Sequence, residues 1–180
     1  QFKTKMAALK LGDPMDETTQ LGPLSSEGAL ETILKQVDKA VAQGAKIEVG
    51  GKKPNLTGNF IEATIISNIT PEMDLYKEEL FGPVASLYVV KNEEEAIQLA
   101  NATEFGLGGS IFSKDLERAK NIANQIDSGM IFINHPTKSS TDMPFGGTKR
   151  SGYGRELSVL GIEEFVNKKL IRVISEKEKL

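Results

Sequence analysis

Three stretches of this chain hold residues able to do chemistry. The first centres on His135, the only histidine, with Asp142 downstream. A lone imidazole builds no zinc site without further ligands, and no such cluster lies nearby. His135 could act as a general base oriented by Asp142, or it could be a loop histidine beside Pro136 with its ring in solvent. A base needs both an orienting partner and a nucleophile in reach. The second stretch, Phe145-Gly146-Gly147-Thr148-Lys149-Arg150-Ser151-Gly152, has the look of a phosphate cradle. It lacks the GxxxxGK-Ser/Thr spacing, and no expected strand runs straight into it. As a nucleic-acid patch it offers Lys149, Arg150 and Arg155, but only Phe145 and Tyr153 for stacking. Composition favours a plainer reading, a glycine-rich turn that lets two backbones approach closely. The third, Glu78-Glu79-Leu80-Phe81-Gly82-Pro83, sets two carboxylates before an aromatic ring and Gly-Pro. It could be a ligand site or a solvated turn, and adjacent strand residues cannot both face one ligand. No nucleophile–base pair and no metal cluster is complete. The chain has no cysteine, which excludes disulfides, thiolate metal sites and thiol nucleophiles within it.

These residues need elements to position them. Ser26–Gln43 reads as a helix with Leu30, Ile33, Leu34, Val37 and Val41 on one face and Gly44 as its stop. Lys46–Val49 reads as a strand ending at Gly50-Gly51, and Phe60–Ile66 as another. The second half has a regular rhythm. Val84–Val90 is an apolar strand. A helix over Glu93–Asn101 is capped by Asn92 with Glu95 three residues on, and its acidic first turn suits the macrodipole. Leu107–Phe112 is a strand, Asp115–Ile126 a helix burying Leu116, Ala119, Ile122, Ala123 and Ile126, and Met130–Ile133 a third strand. This β-α-β-α-β order predicts an α/β fold in three layers, with a mostly parallel sheet and right-handed crossovers. Ligands of such sheets sit beyond the carboxyl ends of the strands. That points after Ser113 and after Ile133, where Asn134–Arg155 is a long loop with Gly146, Gly147, Gly152 and Gly154. An amphipathic segment, Ile162–Val166, and a last strand, Lys169–Ile174, close the chain.

The 180 residues include 22 Lys plus Arg and 25 Asp plus Glu, a formal charge of −3. With 39% apolar and 26% charged residues, the chain suits a globular domain and not a disordered one. Mild acidity argues against nucleic-acid and membrane binding, which favour a basic face. No apolar run is long enough for a spanning helix, and Gln1–Leu11 has no signal-peptide core. The cysteine-free composition is compatible with a reducing cytoplasm, where the protein is expected to act. A chain that starts at Gln1 is expected to be a product of proteolysis or truncation.

Taken together, three motifs carry a resemblance. They are Lys77-Glu78-Glu79-Leu80-Phe81-Gly82-Pro83-Val84, Ala100-Asn101-Ala102-Thr103-Glu104-Phe105-Gly106-Leu107, and Pro144-Phe145-Gly146-Gly147-Thr148-Lys149-Arg150-Ser151-Gly152-Tyr153-Gly154-Arg155-Glu156. With Leu11-Gly12-Asp13-Pro14 and Leu21-Gly22-Pro23-Leu24, the chain resembles the C-terminal part of the NAD(P)-dependent aldehyde dehydrogenase family, in register over essentially its whole length. The resemblance implies that Glu79 hydrogen-bonds the nicotinamide ribose of NAD or NADP and that Phe81 packs beside it. It implies that His135–Met143, the loop ahead of the Pro144-Phe145-Gly146-Gly147 run, lines the aldehyde pocket, and that Phe145 is a substrate-binding residue with Ser139, Lys138 and Ser140. The similarity is to the succinate-semialdehyde dehydrogenase branch, where the serine corresponding to Ser139 binds the distal carboxylate of the substrate. Lys138 and Ser140 flank it, and a cation there suits a dicarboxylic semialdehyde.

The same resemblance says what this chain does not carry. The family nucleophile is a cysteine, and it, the general-base glutamate, the oxyanion asparagine and the glycine-containing dinucleotide-binding domain lie upstream of the matching region. Hydride transfer needs the thiohemiacetal formed on that cysteine. The 180 residues alone are therefore expected to hold no catalytic residue and no metal site, to be inactive, and not to bind NAD or NADP tightly. Residues 1–168 correspond to the C-terminal part of the catalytic domain, and 169–180 to an oligomerisation strand and tail. That strand is expected to pair with a neighbouring subunit and make a homo-oligomer, since exposed edges self-pair. The alternative is a non-catalytic self-association or assembly module on the same fold. A nucleic-acid binder using Lys149–Arg155 is disfavoured by the negative net charge.

Overall fold

Ser26 starts the longest helix because its hydroxyl accepts from the Ala29 N–H at 3.1 Å, satisfying an orphan donor of the first turn. The computed structural model describes residues 1–175. They form two compact units, Gln1–Val90 and a second from Lys91 onward. In the first, a short helix α1 (Phe2–Ala7) precedes α2 (Glu27–Ala42), which buries Leu30, Ile33, Val37 and Ala40. Ala40 takes the place expected for Val41, which is exposed because it falls off the edge of the buried stripe. Gly44 ends the helix with φ 109°, as its punctuation predicts.

Strand β1 (Lys46–Val49) turns at Gly50 and Gly51, whose φ values of 71° and 85° require glycine. Strands β2 (Thr64–Ser67) and β3 (Val84–Ser86) complete a three-stranded sheet in the order β1-β2-β3. β1 and β2 are antiparallel, and β2 and β3 parallel. The expected strands Phe60–Ile66 and Val84–Val90 are shortened. Phe60, Ile61 and Ala63 are buried without joining the ladder, and Val89 lies exposed beyond it. The core of this unit gathers Val37, Ala40, Ala45, Ile66, Ile69, Met73 and Leu75 under one part of α2, and Leu30, Ile33 and Ile61 under another.

The second unit begins with α3 (Glu93–Asn101), capped as expected: Asn92 accepts from Glu95 N–H at 2.9 Å, and Glu95 accepts from Lys91 N–H at 2.7 Å. Strands β4 (Phe105–Gly106) and β5 (Gly108–Ile111) precede α4 (Leu116–Ala123), capped by Asp115. Strand β6 (Met130–Ile133), strand β7 (Thr148–Lys149) and helix α5 (Ser158–Glu163) follow. β5 and β6 pair in parallel, and β4 and β7 antiparallel. The α/β class holds, but a three-layer, mostly parallel sheet is not seen among the described residues. Among the described residues the strands fall into three small sheets, β1-β2-β3, β4-β7 and β5-β6. In α4 only Ala119 is fully buried, and Leu116 is exposed. Lys169–Ile174 forms no strand, because no other described segment pairs with it. Residues 176–180 lie outside the described residues. No helix among the described residues is long and apolar enough to cross a membrane, and none of their His, Asp and Glu residues cluster to hold a metal.

Candidate functional site

In the first unit the Glu78–Pro83 stretch rides over α2. A 3-10 turn, Asp74–Tyr76, leads into Glu78 and Glu79, and Leu75 anchors it in the core. Glu79 and Phe81 are both exposed, the ring at 76%. They line a cavity of about 210 Å³ together with Gly28, Ala29, Thr32, Ile33 and Gln36 of α2. Gly82 is what allows this approach: a Cβ there would lie 2.4 Å from Ile33 Cδ1. The two carboxylates part ways. Glu78 accepts from Gln36 Nε2 at 3.2 Å, and the same amide reaches the main-chain carbonyl of Glu79 at 3.3 Å.

In the second unit the loop after β6 is pinned at several points. Asn134, at φ 57°, accepts from Ser113 N–H at 2.8 Å and donates back to the Ser113 carbonyl at 2.8 Å. Thr137 Oγ1 meets Ser110 Oγ at 3.2 Å. Ser158 N–H donates to the Thr141 carbonyl at 3.0 Å, and Phe145 exchanges main-chain bonds with Glu156 at 2.8 and 2.7 Å. Between the anchors at Thr137 and Thr141, Lys138 and Ser139 are exposed and Ser140 is half-buried. Ser140 donates its hydroxyl to Asp142, and that bond holds the Asp142 carboxyl below its ordinary 3.8. His135 is not joined to Asp142. Its Nδ1 sits 2.6 Å from the Pro136 carbonyl, and its ring tilts against Phe132. The solvent-loop alternative for His135 is the one the structure contains.

The glycine-rich stretch is a close-approach turn. A Cβ on Gly129 would lie 1.9 Å from the Gly146 carbonyl, and one on Gly147 would lie 2.5 Å from Ser151 Cβ. Its basic residues are committed internally. Lys149 Nζ donates to the Asn101 and Thr103 carbonyls, each at 3.2 Å, and pairs with Asp127. Arg150 pairs with Glu104 at 2.6 Å over the Phe105 ring, and Arg155 donates to the Gly147 and Gly154 carbonyls. Ser151 Oγ accepts from Gly106 N–H at 3.0 Å. The second and third motifs named for the resemblance are thus stitched to each other. Sequence reasoning missed Gln36 and Asn134. Asn134 left a signal, a turn-forming residue directly after a strand; Gln36 left none, since its partners lie far along the chain.

The aldehyde dehydrogenase family model matches residues 1–171, and the chain belongs to that family. A succinate-semialdehyde dehydrogenase [NADP(+)] of Deinococcus radiodurans is 52% identical over 168 residues, covering 93% of this chain and 35% of that protein. The solved succinic semialdehyde dehydrogenase of Streptococcus pyogenes, in complex with NADP+, superposes with a TM-score of 0.93 at 46% identity, over 97% of this chain and 39% of that one. A betaine aldehyde dehydrogenase of Staphylococcus aureus, in complex with NAD+, gives a TM-score of 0.87 at 38% identity, over 96% and 37%. The chain therefore spans little more than a third of the length of these relatives.

Proposed function

We propose that these residues form the C-terminal part of an NAD(P)-dependent aldehyde dehydrogenase that oxidises succinate semialdehyde to its carboxylic acid. The observation that carries the reading is the pairing of exposed Glu79 and Phe81 on one small cavity beside α2. A carboxylate offers acceptors to two ribose hydroxyls, and a neighbouring ring limits how the sugar can turn, so these residues fit the cofactor. When bound, the cofactor supplies the hydride acceptor. Ser139, with Lys138 and Ser140 beside it, takes the distal carboxylate of the substrate, and Phe145 borders the same loop. The names of the Deinococcus and Streptococcus relatives support the substrate. Without the family's cysteine, the 180 residues alone are inactive.

The test is NAD(P)H production from succinate semialdehyde by the chain alone, and by a chimera that places the preceding part of the Deinococcus enzyme before it. The chimera should turn over and the chain alone should not. In the chimera, Ser139→Ala should raise KM for succinate semialdehyde about tenfold, the worth of about 1.4 kcal/mol in a charge-assisted bond. Turnover by the chain alone would overturn the inactivity, and an inert chimera the enzymatic reading. The assembly reading has its own support. Leu170 is 89% exposed and Ile171, Val173 and Ile174 are exposed too, as an unpaired oligomerisation strand would be. Light scattering that finds only monomers would count against homo-oligomers.

A further inference from the structure

The turn that presents Glu79 has little structure of its own. Lys77 and Glu78 N–H groups donate back to the Asp74 carbonyl at 3.0 and 3.2 Å, Gly82 N–H donates to the Leu80 carbonyl at 3.0 Å, and Thr64 N–H donates to the Pro83 carbonyl at 2.8 Å just before the ladder with β2 begins at Val84. The turn's remaining side-chain contacts run along α2. At its start, Asp74 accepts from Lys39 Nζ at 3.0 Å, and Asp74 N–H donates to Gln43 Oε1 at 3.1 Å. In its middle, Gln36 Nε2 reaches Glu78 and the Glu79 carbonyl. At its end, Gly82 lies against Ile33. Gln43, Lys39, Gln36 and Ile33 succeed one another at helical spacing, so one stripe of α2 meets the turn residue by residue in the opposite chain direction. We propose that α2 is the template for the Glu79 turn and that the Gln36 side-chain amide is its positioning residue.

The chemistry suits an amide. One nitrogen carries two N–H donors, enough for a carbonyl and a carboxylate together. Gln36 fixes the Glu79 main chain through its carbonyl while it occupies the neighbouring carboxylate of Glu78. The Glu79 carboxylate is then the one left for a ligand. This resolves how two adjacent acidic residues serve one site: one is tied down so that the other is presented.

The positioning can be read in the 180-residue chain itself, independently of the proposed dehydrogenase reading. Backbone order parameters at Glu79 and Phe81 should drop from about 0.85 to below about 0.6 in Gln36→Leu. Gln36→Lys keeps a donor and should restore them. Order unchanged in Gln36→Leu, or equally lost in Gln36→Lys, overturns the positioning role. That the presented carboxylate meets a ribose rests on the reading above, and the chimera tests it. Gln36→Leu should raise KM for NAD(P)+ about tenfold while kcat and KM for the aldehyde stay within about twofold. Order lost with KM for NAD(P)+ unchanged would leave α2 as the template and remove the ribose from Glu79.

Discussion

Gly82 is the residue through which the packing of α2 and the placement of Phe81 become one problem. Its φ is not in the left-handed region, so alanine is allowed by the backbone there. Alanine would even stabilise by about 0.4–1 kcal/mol through the unfolded chain. Against that stands the steric term. The new Cβ would meet Ile33 Cδ1 at 2.4 Å and Leu24 Cδ2 at 3.3 Å. Ile33 is 1% exposed and packed with Leu30 and Ile61, so moving its Cδ1 aside disturbs that packing. Overpacking of this kind costs about 1–3 kcal/mol, and the net effect of Gly82→Ala should be about 1–2 kcal/mol destabilising. Ile33→Val deletes the clashing atom and alone should cost about 0.5–1.5 kcal/mol. In the double variant the new methyl fills the space the old one leaves. The pair should then cost about 1 kcal/mol less than the sum of the singles, measured as urea midpoints at constant m. Additivity within about 0.5 kcal/mol would refute the idea that this contact is why glycine stands there.

Glu48 is held down to about 2 chiefly by the Lys46 ammonium and then by the Ser67 hydroxyl. A depressed carboxyl stabilises the fold above its ordinary 4.5, and that share is lost as pH falls toward 2. Acid unfolding in that window should be flatter in Glu48→Gln, which a pH series of thermal midpoints would read. At Asn134 the usual order of substitutions should invert. Asn134→Gly loses the bonds to Ser113, about 1–2 kcal/mol, but Asn134→Ala should cost about 1 kcal/mol more because its Cβ resists φ 57°. Equal midpoints in urea would discount the strain. Gly129→Ala forces a methyl onto the Gly146 carbonyl, a backbone atom, and should cost about 3 kcal/mol or more, with faster amide exchange at Gly147.

Local signals in the sequence were read well and non-local ones poorly. The cap at Asn92 and the stop at Gly44 depend on neighbours within a turn, and the helices begin and end there; Ser26 and Asp115, expected as first helical residues, are caps instead, and the helix after Asp115 ends at Ala123 rather than Ile126. β1 and β6 carry the expected bounds because short apolar runs between turn residues leave little choice. Sheet pairing is harder to read, because it depends on partners far along the chain. Val84 could have paired with β5 by rhythm alone, but it pairs with Thr64 of β2. Phe60, Ile61 and Ala63 have the composition of a strand, yet they are buried without a ladder, a distinction that periodicity does not carry. Gln36 was invisible for the same reason: nothing near it along the chain announces Glu78 and Glu79.

The motif residues divide by what their polar atoms already do. Lys149, Arg150, Ser151 and Arg155 look like a charged, ligand-binding stretch in the sequence, but each is engaged with a carbonyl, an N–H or a carboxylate of its own unit. Glycines 106, 129 and 147 stand where a Cβ would strike backbone or Ser151. These residues hold two loops together, and substituting them is a matter of folding. Glu79, Phe81, Lys138 and Ser139 are exposed. Glu79 is placed by its main chain, and Lys138 and Ser139 by the anchors at Thr137 and Thr141, not by bonds their own heads make. Under the proposed reading these exposed heads are the groups left to meet cofactor and substrate. Variants of the first group should therefore lose stability and function together, and variants of the second should lose affinity in a protein whose unfolding midpoint has not moved.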